Sequence, residues 1–341
     1  MTGVVTSPAE PAVDEVIGLH RLMTSYLSAG ALFSAVELKL FDALSGREVT
    51  AEEAGREAGL AERPARILLL ALEGENLVTR HGDRYTNAPV AETFLVTSSP
   101  RYLGALATQQ SRHLAKISQL TQALRDNRPV NAGGSYTGEF QKDSATWARR
   151  WAEVMRASSQ LMADDLADVA ALSGRRHLVD LGCASGSYAM AFARAYPQLQ
   201  VSAVEQPAIA EVTAEFVEAA GMTDRVTVRP GNIFEDSFSD CDVALLSHVI
   251  QGFARKRAQQ LLAHVHSWLP DGGELLIHSH LPEQARAPFP YQFGLILLVN
   301  NTQGGEAHTQ EVTAQWLREI GFRDISVSPV SPISALVRAI K

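Results

Sequence analysis

The chain has 341 residues, of which 46% are hydrophobic and 20% charged, a composition typical of globular domains that excludes a largely disordered or fibrous protein. The formal net charge of −8 argues against a nucleic-acid partner, since such proteins usually carry a basic balance or face. Cys183 and Cys241 lie far apart, without disulfide-scaffold or zinc-site spacing, so no metal site is predicted and a reducing compartment is expected.

Targeting and membrane segments are not predicted. The N-terminus lacks a basic start followed by a long apolar run, which a secretory peptide would have. No segment reaches the roughly 18 consecutive apolar residues that a membrane helix needs. We therefore expect a cytoplasmic protein with no membrane partner.

The first predicted region, residues 15–95, is mostly helical. A second helix is predicted over 35–44, and Thr50 to Glu53 has the pattern of a capping box that starts the next helix. A helix over 62–73 precedes a predicted β-hairpin over 77–86. Helices followed by a hairpin are typical of a winged helix. Because the helix over 62–73 has no basic face, dimerisation is favoured over DNA binding.

A second helical region follows and leads into a different pattern. Residues 100–172 are predicted to be helical with a loop over 127–135, and 145–171 is predicted to form one long amphipathic connection. The predicted organisation is therefore a dimerisation domain over 1–99, a helical linker over 100–172 that contributes to the substrate pocket, and a catalytic domain over 173–341.

From residue 177, short apolar runs alternate with helical patterns. The predicted strands are 177–180, 201–204, 226–228, 243–246 and 274–277, and a final pair over 325–330 and 334–339. The final pair has no room for a helix between its strands, so it must be an antiparallel hairpin. This order predicts an α/β fold, with a doubly wound sheet that has an antiparallel edge strand.

A glycine-rich turn follows the first of these strands. Gly182 and Gly186 allow the backbone to turn tightly and to approach a ligand. Glu205, at the end of the next strand, can accept hydrogen bonds from both hydroxyls of a ribose. The G-x-G-x-x-G pattern is not met, and the Lys and Ser/Thr of a P-loop are missing. Taken alone, the turn leaves NAD and other adenosyl ligands open.

The segment Asp180–Gly186 resembles the first motif of class I S-adenosylmethionine (SAM) methyltransferases. The resemblance extends to the small-molecule O-methyltransferases of plants and of actinomycete antibiotic pathways. Further matching segments are 151–155, 205–207, 225–234, 242–250, 269–274 and 304–309. The resemblance implies a winged-helix dimerisation domain, a Rossmann-like SAM domain, and a homodimeric methyltransferase of specialised metabolism that uses SAM on a small organic, natural-product-like substrate.

The resemblance also implies cofactor-binding residues by position. They are Asp180, Gly182, Ala184, Gly186, Glu205, Gln206, Gly231, Asn232, Ile233, Phe234 and Ser247. The loop residues would line the methionine part of SAM, Glu205 would hold the ribose, and Ser247 would face the methionine carboxylate. Asn232 would accept a hydrogen bond from the adenine amino group. Ile233 and Phe234 would flank the adenine, with simple core packing as the alternative.

The catalytic position departs from the family pattern. The family's His, which removes the proton of the acceptor hydroxyl, is replaced here by Gln251, and glutamine cannot act as a base near neutral pH. The two supporting acids fall at Ala307 and within His278–His280, where this chain has none. Three concurrent losses indicate changed chemistry.

Three alternatives follow from this change. Methyl transfer can proceed without the usual base, since alignment with a sulfonium donor supplies much of the rate. A different base can serve, with His248, His278, His280 and His308 as candidates. The third alternative is a SAM-binding enzyme that catalyses a non-methylating step such as cyclisation or rearrangement. The candidate catalytic residues are Gln251, His248 and His278.

A substrate cavity is predicted between the long connection and the region 289–301. Its candidate walls are mostly apolar or aromatic, as expected for a small organic ligand: Trp151, Met155, Ser158, Met162, Phe293, Leu297 and Asn300. The family resemblance further implies that Met23 and Tyr26 on the first helix enter the active site of the partner subunit.

Overall fold

A computed structural model describes residues 12–130, 144–300 and 304–341. The chain divides into two compact units, one ending at Ser111 and the other beginning at Arg112. Among the described residues, no helix is both long and apolar enough to cross a membrane.

The first unit is helical with one small sheet. Its helices are α1 (Val13–Glu37), α2 (Leu40–Leu44), α3 (Ala51–Glu57), α4 (Glu62–Gly74), α5 (Pro89–Phe94) and α6 (Gly104–Ile117), the last of which continues past Ser111. Its strands are β1 (Val49–Thr50), β2 (Val78–His81) and β3 (Arg84–Asn87), in the order β1-β3-β2 with antiparallel pairing. The hairpin over 77–86 is therefore confirmed.

Local signals in this unit are confirmed at α3 and corrected at α2. The Thr50 hydroxyl accepts a hydrogen bond from the Glu53 N–H at 3.2 Å, and the Glu53 carboxylate accepts one from the Thr50 N–H at 2.8 Å, which completes the capping box. The second helix begins at Leu40 rather than at residue 35. The reason is that α1 runs through Glu37 and Lys39 adopts a left-handed φ of 53° between the two helices.

Helix α1 presents an apolar surface to solvent. Its large apolar side chains that are more than half exposed are Val13, Val16, Ile17, Leu19, Leu22, Met23, Tyr26 and Leu27. Within the helix, Ala35 and Val36 near the C-terminal end are buried. A run of exposed apolar residues of this size marks an interaction surface.

The second unit is built around a seven-stranded sheet. Its strands are β4 (His177–Leu181), β5 (Gln200–Glu205), β6 (Val226–Pro230), β7 (Val243–Ser247), β8 (Glu274–Ser279), β9 (Arg323–Ser331) and β10 (Ser334–Ile340). The order is β6-β5-β4-β7-β8-β10-β9. Strands β4 to β8 are parallel, whereas β10 runs antiparallel to both of its neighbours, so the reversed strand lies one position inside the edge.

The described residues of the second unit also form helices. They are α7 (Leu120–Asp126), α8 (Ser144–Ser159), α9 (Ala163–Ala170), α10 (Ser187–Ala195), α11 (Pro207–Ala219), α12 (Arg255–Trp268), α13 (Phe289–Asn300) and α14 (Gln310–Ile320). One buried core joins α12 and α14 to the sheet, and a second joins α9 and α10 to it. The predicted doubly wound α/β sheet is confirmed.

The predicted long connection over 145–171 is divided into two helices. Helix α8 ends at Ser159 and α9 starts at Ala163, with Met162 in a non-helical conformation between them. The strand order reverses at β4, which has β5 on one side and β7 on the other. In open α/β sheets this switch point, at the carboxyl ends of the strands, is where ligands bind.

Candidate active site

The glycine-rich turn between β4 and α10 has a backbone that only small residues can adopt. Gly182 and Gly186 have φ values of 76° and 70°. A Cβ atom would lie 3.0 Å from the Val249 side chain at the first position and 3.0 Å from the Thr213 side chain at the second. The turn is fixed because the Gly182 N–H donates to the Val204 carbonyl at 2.9 Å.

Ala184 lies at the tip of this turn in a left-handed conformation, with φ of 47°. Its N–H donates to the Glu205 carboxylate at 3.0 Å, and its carbonyl accepts a hydrogen bond from the Thr213 hydroxyl. The strain of this backbone is compensated by bonds on both sides of the peptide. The turn is therefore pre-formed and tied to the end of β5.

Two buried carboxylates stand beside the turn. Glu205 accepts from the Gln206 N–H at 2.8 Å as well as from Ala184, whereas neither Asp180 oxygen has a donor in hydrogen-bond geometry among the described residues. Burial, followed by the charge of Glu205, raises the pKa of Asp180 to about 7, although the nearby Ala189 N–H opposes this. Burial also raises the pKa of Glu205, although its two backbone hydrogen bonds oppose this. The pair favours a ligand that brings positive charge or hydroxyl donors.

The loop after β6 is shaped by its own side chains. The Asn232 side-chain carbonyl accepts from the Phe234 N–H at 3.1 Å, and the Asp236 carboxylate accepts from the Asn232 N–H at 2.7 Å. The Asn232 carbonyl is therefore used within the loop. A carbonyl oxygen has two lone pairs, so it can still accept a second hydrogen bond.

Phe234 has the core packing that was predicted as the alternative to a contact with adenine. Its ring packs edge-on against Phe253 at 5.0 Å between centroids, and the Arg257 guanidinium lies 3.6 Å from its centroid. Ile233 and Phe234 are both half-buried and pack against the core beneath the sheet. Core packing therefore holds the residues that the family resemblance places beside adenine.

Ser247 ends β7 and pairs with His278 of β8 in the sheet register. Its hydroxyl lies 2.9 Å from His278 Nδ1. The His278 side chain is fully buried, so in this structure it contacts neighbouring protein groups rather than an external molecule. Ser247 itself is half-buried at the carboxyl edge of the sheet, where the resemblance places it.

Gln251, at the family's base position, is held in a buried hydrogen-bond network. The Ser279 hydroxyl donates to Gln251 Oε1 at 2.6 Å, and Gln251 Nε2 donates to His248 Nδ1 at 3.2 Å. Gln251 is 4% exposed. An amide committed on both sides has neither the basicity nor the free acceptor that proton removal requires.

His248, His278 and His280 form a cluster at the ends of β7 and β8. The His248 ring centroid lies 4.5 Å from that of His278 and 4.4 Å from that of His280. Burial lowers the pKa of all three imidazoles, that of His278 to about 3. The three rings are therefore neutral at neutral pH. Within the described residues, no group of His, Cys, Asp or Glu side chains is arranged to hold a metal ion.

The candidate wall residues fall into separate environments. On α8, Met155 and Ser158 are half-buried, while Trp151 stacks on Trp147 at 5.7 Å between ring centroids and packs against α11. Met162 is buried beneath β10, where its sulfur accepts from Ser334. Trp151 and Met162 therefore belong to the core.

The candidate wall residues on α13 also lie in different environments. The Asn300 side-chain carbonyl accepts from Lys116 at 2.8 Å and its NH2 group donates to the Ile296 carbonyl at 2.9 Å, so both groups have partners within the protein. Leu297 is 9% exposed. Phe293 is half-buried and lies 4.8 Å from the His280 ring, which places it beside the histidine cluster.

Two family models match this chain. The O-methyltransferase domain family matches residues 117–323, and the O-methyltransferase dimerisation domain family matches residues 20–97. The chain is 32% identical to the N,N-dimethyltransferase OxyT of Streptomyces rimosus over 286 residues, covering 83% of each chain. It is 30% identical to the tetracenomycin polyketide synthesis 8-O-methyl transferase TcmO of Streptomyces glaucescens, covering 91% of this chain and 92% of the other.

A solved structure supports the fold. Human N-acetylserotonin methyltransferase in complex with SAM superposes with a TM-score of 0.85 at 20% identity, covering 98% of this chain and 99% of the other. At this identity the likeness concerns the fold alone. The predicted family and the predicted fold are both confirmed.

Proposed function

Because the chain belongs to the O-methyltransferase family, we propose that it transfers the methyl group of SAM to a small organic, natural-product-like molecule. Relatives named as methyltransferases of Streptomyces polyketide synthesis and of a naphthoate support a role in specialised metabolism. When bound, SAM supplies an electrophilic methyl group on a sulfonium. The residues of this chain then have to bind it, orient the acceptor and receive any proton that is released.

The groups around the turn fit this cofactor. Among the described residues, the Ala189 N–H lies near the buried carboxylate of Asp180, but neither Asp180 oxygen receives a hydrogen bond of good geometry. An ammonium group such as that of the methionine part would satisfy these oxygens. Glu205 keeps acceptor capacity for ribose hydroxyls beyond its bonds to the backbone. Gly182, Ala184 and Gly186 keep the loop open to a close ligand.

The observation that defines the chemistry is the commitment of the Gln251 amide to Ser279 and His248. It supports an acceptor that is not activated by residue 251, such as an amine, which has its own lone pair, or an acidic hydroxyl. The name of one relative, an N,N-dimethyltransferase, is compatible with the amine. The same commitment also fits the alternative of a non-methylating reaction, which is distinguished by the fate of the methyl group.

Labelled methyl transfer tests the proposal. The purified protein is incubated with methyl-labelled SAM and a panel of hydroxynaphthoates, N-acetylserotonin, L-tyrosine and aromatic amines. We expect label in at least one product, and we expect Gln251→Ala to keep kcat within about tenfold of wild type because no proton moves to residue 251. Product formation without label would establish the non-methylating reaction. A loss of about 1000-fold or more in Gln251→Ala would contradict an acceptor independent of this position.

We also propose that the chain is a homodimer that associates through α1. The exposed apolar side chains of α1 fall within the region that matches the dimerisation domain family, and Met23 and Tyr26 are 64% and 59% exposed. Burying such a surface against a second copy would remove its apolar area from water. Two chains contributing α1 in this way would bring these two residues to the partner subunit, as the family resemblance implies.

Light scattering on size-exclusion fractions tests the dimer. Wild type should have twice the 36.9 kDa mass of one chain, and Leu22→Asp, which buries a charge in the α1 contact, should shift toward the mass of one chain. Thr79→Asp is the matched control, since Thr79 is exposed on β2 and not on α1. A wild-type mass of 36.9 kDa, or an unchanged mass in Leu22→Asp, would contradict association through α1.

A further inference from the structure

We infer that His280 is the residue that removes the proton from the methyl acceptor, in place of the base that Gln251 cannot supply. The inference rests on the proposed methyl transfer. The evidence for it is the position and hydrogen bonding of the three clustered imidazoles. The three rings differ in the nitrogen atom that carries a free lone pair.

The tautomer of His280 is fixed by the backbone. His280 Nδ1 lies 2.7 Å from the carbonyl oxygen of Ile333, and a carbonyl can only accept a hydrogen bond. Nδ1 must therefore carry the proton. A neutral imidazole has a single N–H, so Nε2 of His280 has the lone pair. A ring held through Nδ1–H by an oxygen, with Nε2 as the basic atom, is the arrangement of a general base.

The other two histidines do not offer this arrangement. His248 Nδ1 accepts from the Gln251 amide, so the proton of neutral His248 lies on Nε2, which then cannot accept another. His278 is fully buried with Nδ1 against the Ser247 hydroxyl. The Nε2 atoms of both residues are buried and without partners among the described residues, whereas Nε2 of His280 is not one of these enclosed atoms.

The surroundings of His280 suit an organic acceptor. The residue follows directly after β8, at the carboxyl edge of the sheet where the turn after β4 also lies. The centroid of its ring lies 4.4 Å from that of His248. It lies 4.8 Å from the ring centroid of Phe293 and 5.0 Å from that of Phe289, both on α13. Burial lowers the pKa of His280, with the Ile333 hydrogen bond opposing this, so the ring is neutral and able to accept a proton at neutral pH.

The proton and electron changes balance with groups already named. The acceptor oxygen or nitrogen forms its bond to the methyl carbon while the carbon–sulfur bond of the cofactor breaks, and the electron pair of that bond goes to sulfur. The O–H or N–H proton of the acceptor moves to Nε2 of His280. The imidazolium then releases this proton to water, which returns the ring to its neutral form.

His280→Asn is the variant that separates this role from a structural one. The Asn side-chain NH2 can replace Nδ1–H as a donor to the Ile333 carbonyl, but the variant has no basic nitrogen. With an acceptor that wild type methylates, we expect kcat to fall by about 100-fold or more, within the usual contribution of a general base. The Kd for SAM, measured by calorimetry, should stay within about twofold, because His280 is assigned to the acceptor.

Three further measurements test the inference, and two of them do not depend on the His280→Asn variant. The kcat of wild type should fall as the pH is lowered through the pKa of His280, because the protonated ring cannot accept a proton, and this acid limb should be missing in His280→Asn. Added imidazole should restore part of the activity of His280→Gly. In wild type, diethyl pyrocarbonate should modify His280 and spare His278, because His278 Nδ1 lies against the Ser247 hydroxyl and His278 Nε2 is buried. His81→Asn is the control variant, because His81 is exposed and lies in the first unit.

Retention of kcat within about threefold in His280→Asn, with the same acid limb as wild type, would overturn the assignment. Modification of His278 in preference to His280 would overturn it as well. A wild-type protein that transfers no label to any acceptor would instead refute the proposed methyl transfer, which the labelling experiment detects before any variant is made.

Discussion

Replacing Glu205 with glutamine should weaken the binding of SAM by about 100-fold. The carboxylate of Glu205 is buried at the end of β5 and has two acceptor oxygens, each of which already receives one backbone N–H. Glutamine keeps the size but provides one acceptor in place of two and adds a donor that would face Ala184 or Gln206. Hydrogen bonds to a charged group contribute about 1.5–3 kcal/mol, and 1.4 kcal/mol corresponds to a factor of ten.

Calorimetric titration of SAM measures this effect. Glu211→Gln provides the matched control, since Glu211 is an exposed carboxylate on α11, close in the chain to Glu205. A Kd in Glu205→Gln within about threefold of wild type would show that the carboxylate does not contact the cofactor. Thermal unfolding of the variant without ligand separates a loss of affinity from a loss of the loop structure, because Glu205 also anchors the Ala184 peptide.

The sheet of the second unit could be predicted because its signals are local. Strand β7 begins with a run of four apolar residues, as expected for a parallel strand buried on both faces, and β4 is mostly apolar apart from His177 and Asp180. The bounds of both strands differ from the predicted ones by about one residue. The capping box at Thr50 is likewise written into four consecutive residues. The break after Ser159 could not be predicted, because the apolar spacing continues from α8 into α9 without a Gly or Pro between them.

The candidate site likewise has features that could be predicted from the local sequence and features that could not. The turn from Asp180 to Gly186 is contiguous in the chain, so its shape and its acidic neighbour could be anticipated. The partners of Gln251 and His280 could not, since Ser279 lies 28 residues from Gln251 and Ile333 lies 53 residues from His280. These contacts form only once the sheet is assembled. The pattern could therefore nominate several histidines but not show which nitrogen of each is free.

Acidification should unfold the second unit through its buried histidines. Burial, followed by the nearby His280, lowers the pKa of His278 in the folded protein to about 3, whereas an unfolded histidine titrates near pH 6.5. As the pH falls below about 6.5, the unfolded chain binds a proton that the folded protein does not bind until about pH 3. The stability contributed by neutral His278 is therefore fully present above this window and is lost as the pH falls through it.

Other groups modify this dependence in known directions. His248 and His280 act in the same sense as His278, because burial lowers the pKa of each. Asp180 acts in the opposite sense, since its raised pKa of about 7 makes the folded protein take up a proton before the unfolded chain does. Burial also lowers the pKa values of His113, to about 4, and of His308. These imidazoles outnumber Asp180 and Glu205, whose pKa values are raised, so the net stability should fall between about pH 6 and about pH 4.

The contribution of His278 can be isolated by comparing pH slopes. Each such group changes the free energy of unfolding by up to about 1.4 kcal/mol per pH unit, or about 3 kcal/mol between pH 6 and pH 4. Urea unfolding of His278→Gln should therefore show a shallower decline with acid than wild type, even if the variant is less stable at neutral pH. His81→Gln, at an exposed position, should keep the wild-type slope.

Equal slopes in wild type and His278→Gln would mean that His278 already binds a proton in the folded protein. The assignment of three neutral imidazoles would then be wrong. The assignment of the lone pair to His280 Nε2 would be wrong as well, because a charged ring in the cluster would alter the hydrogen bonding of His248 and His280.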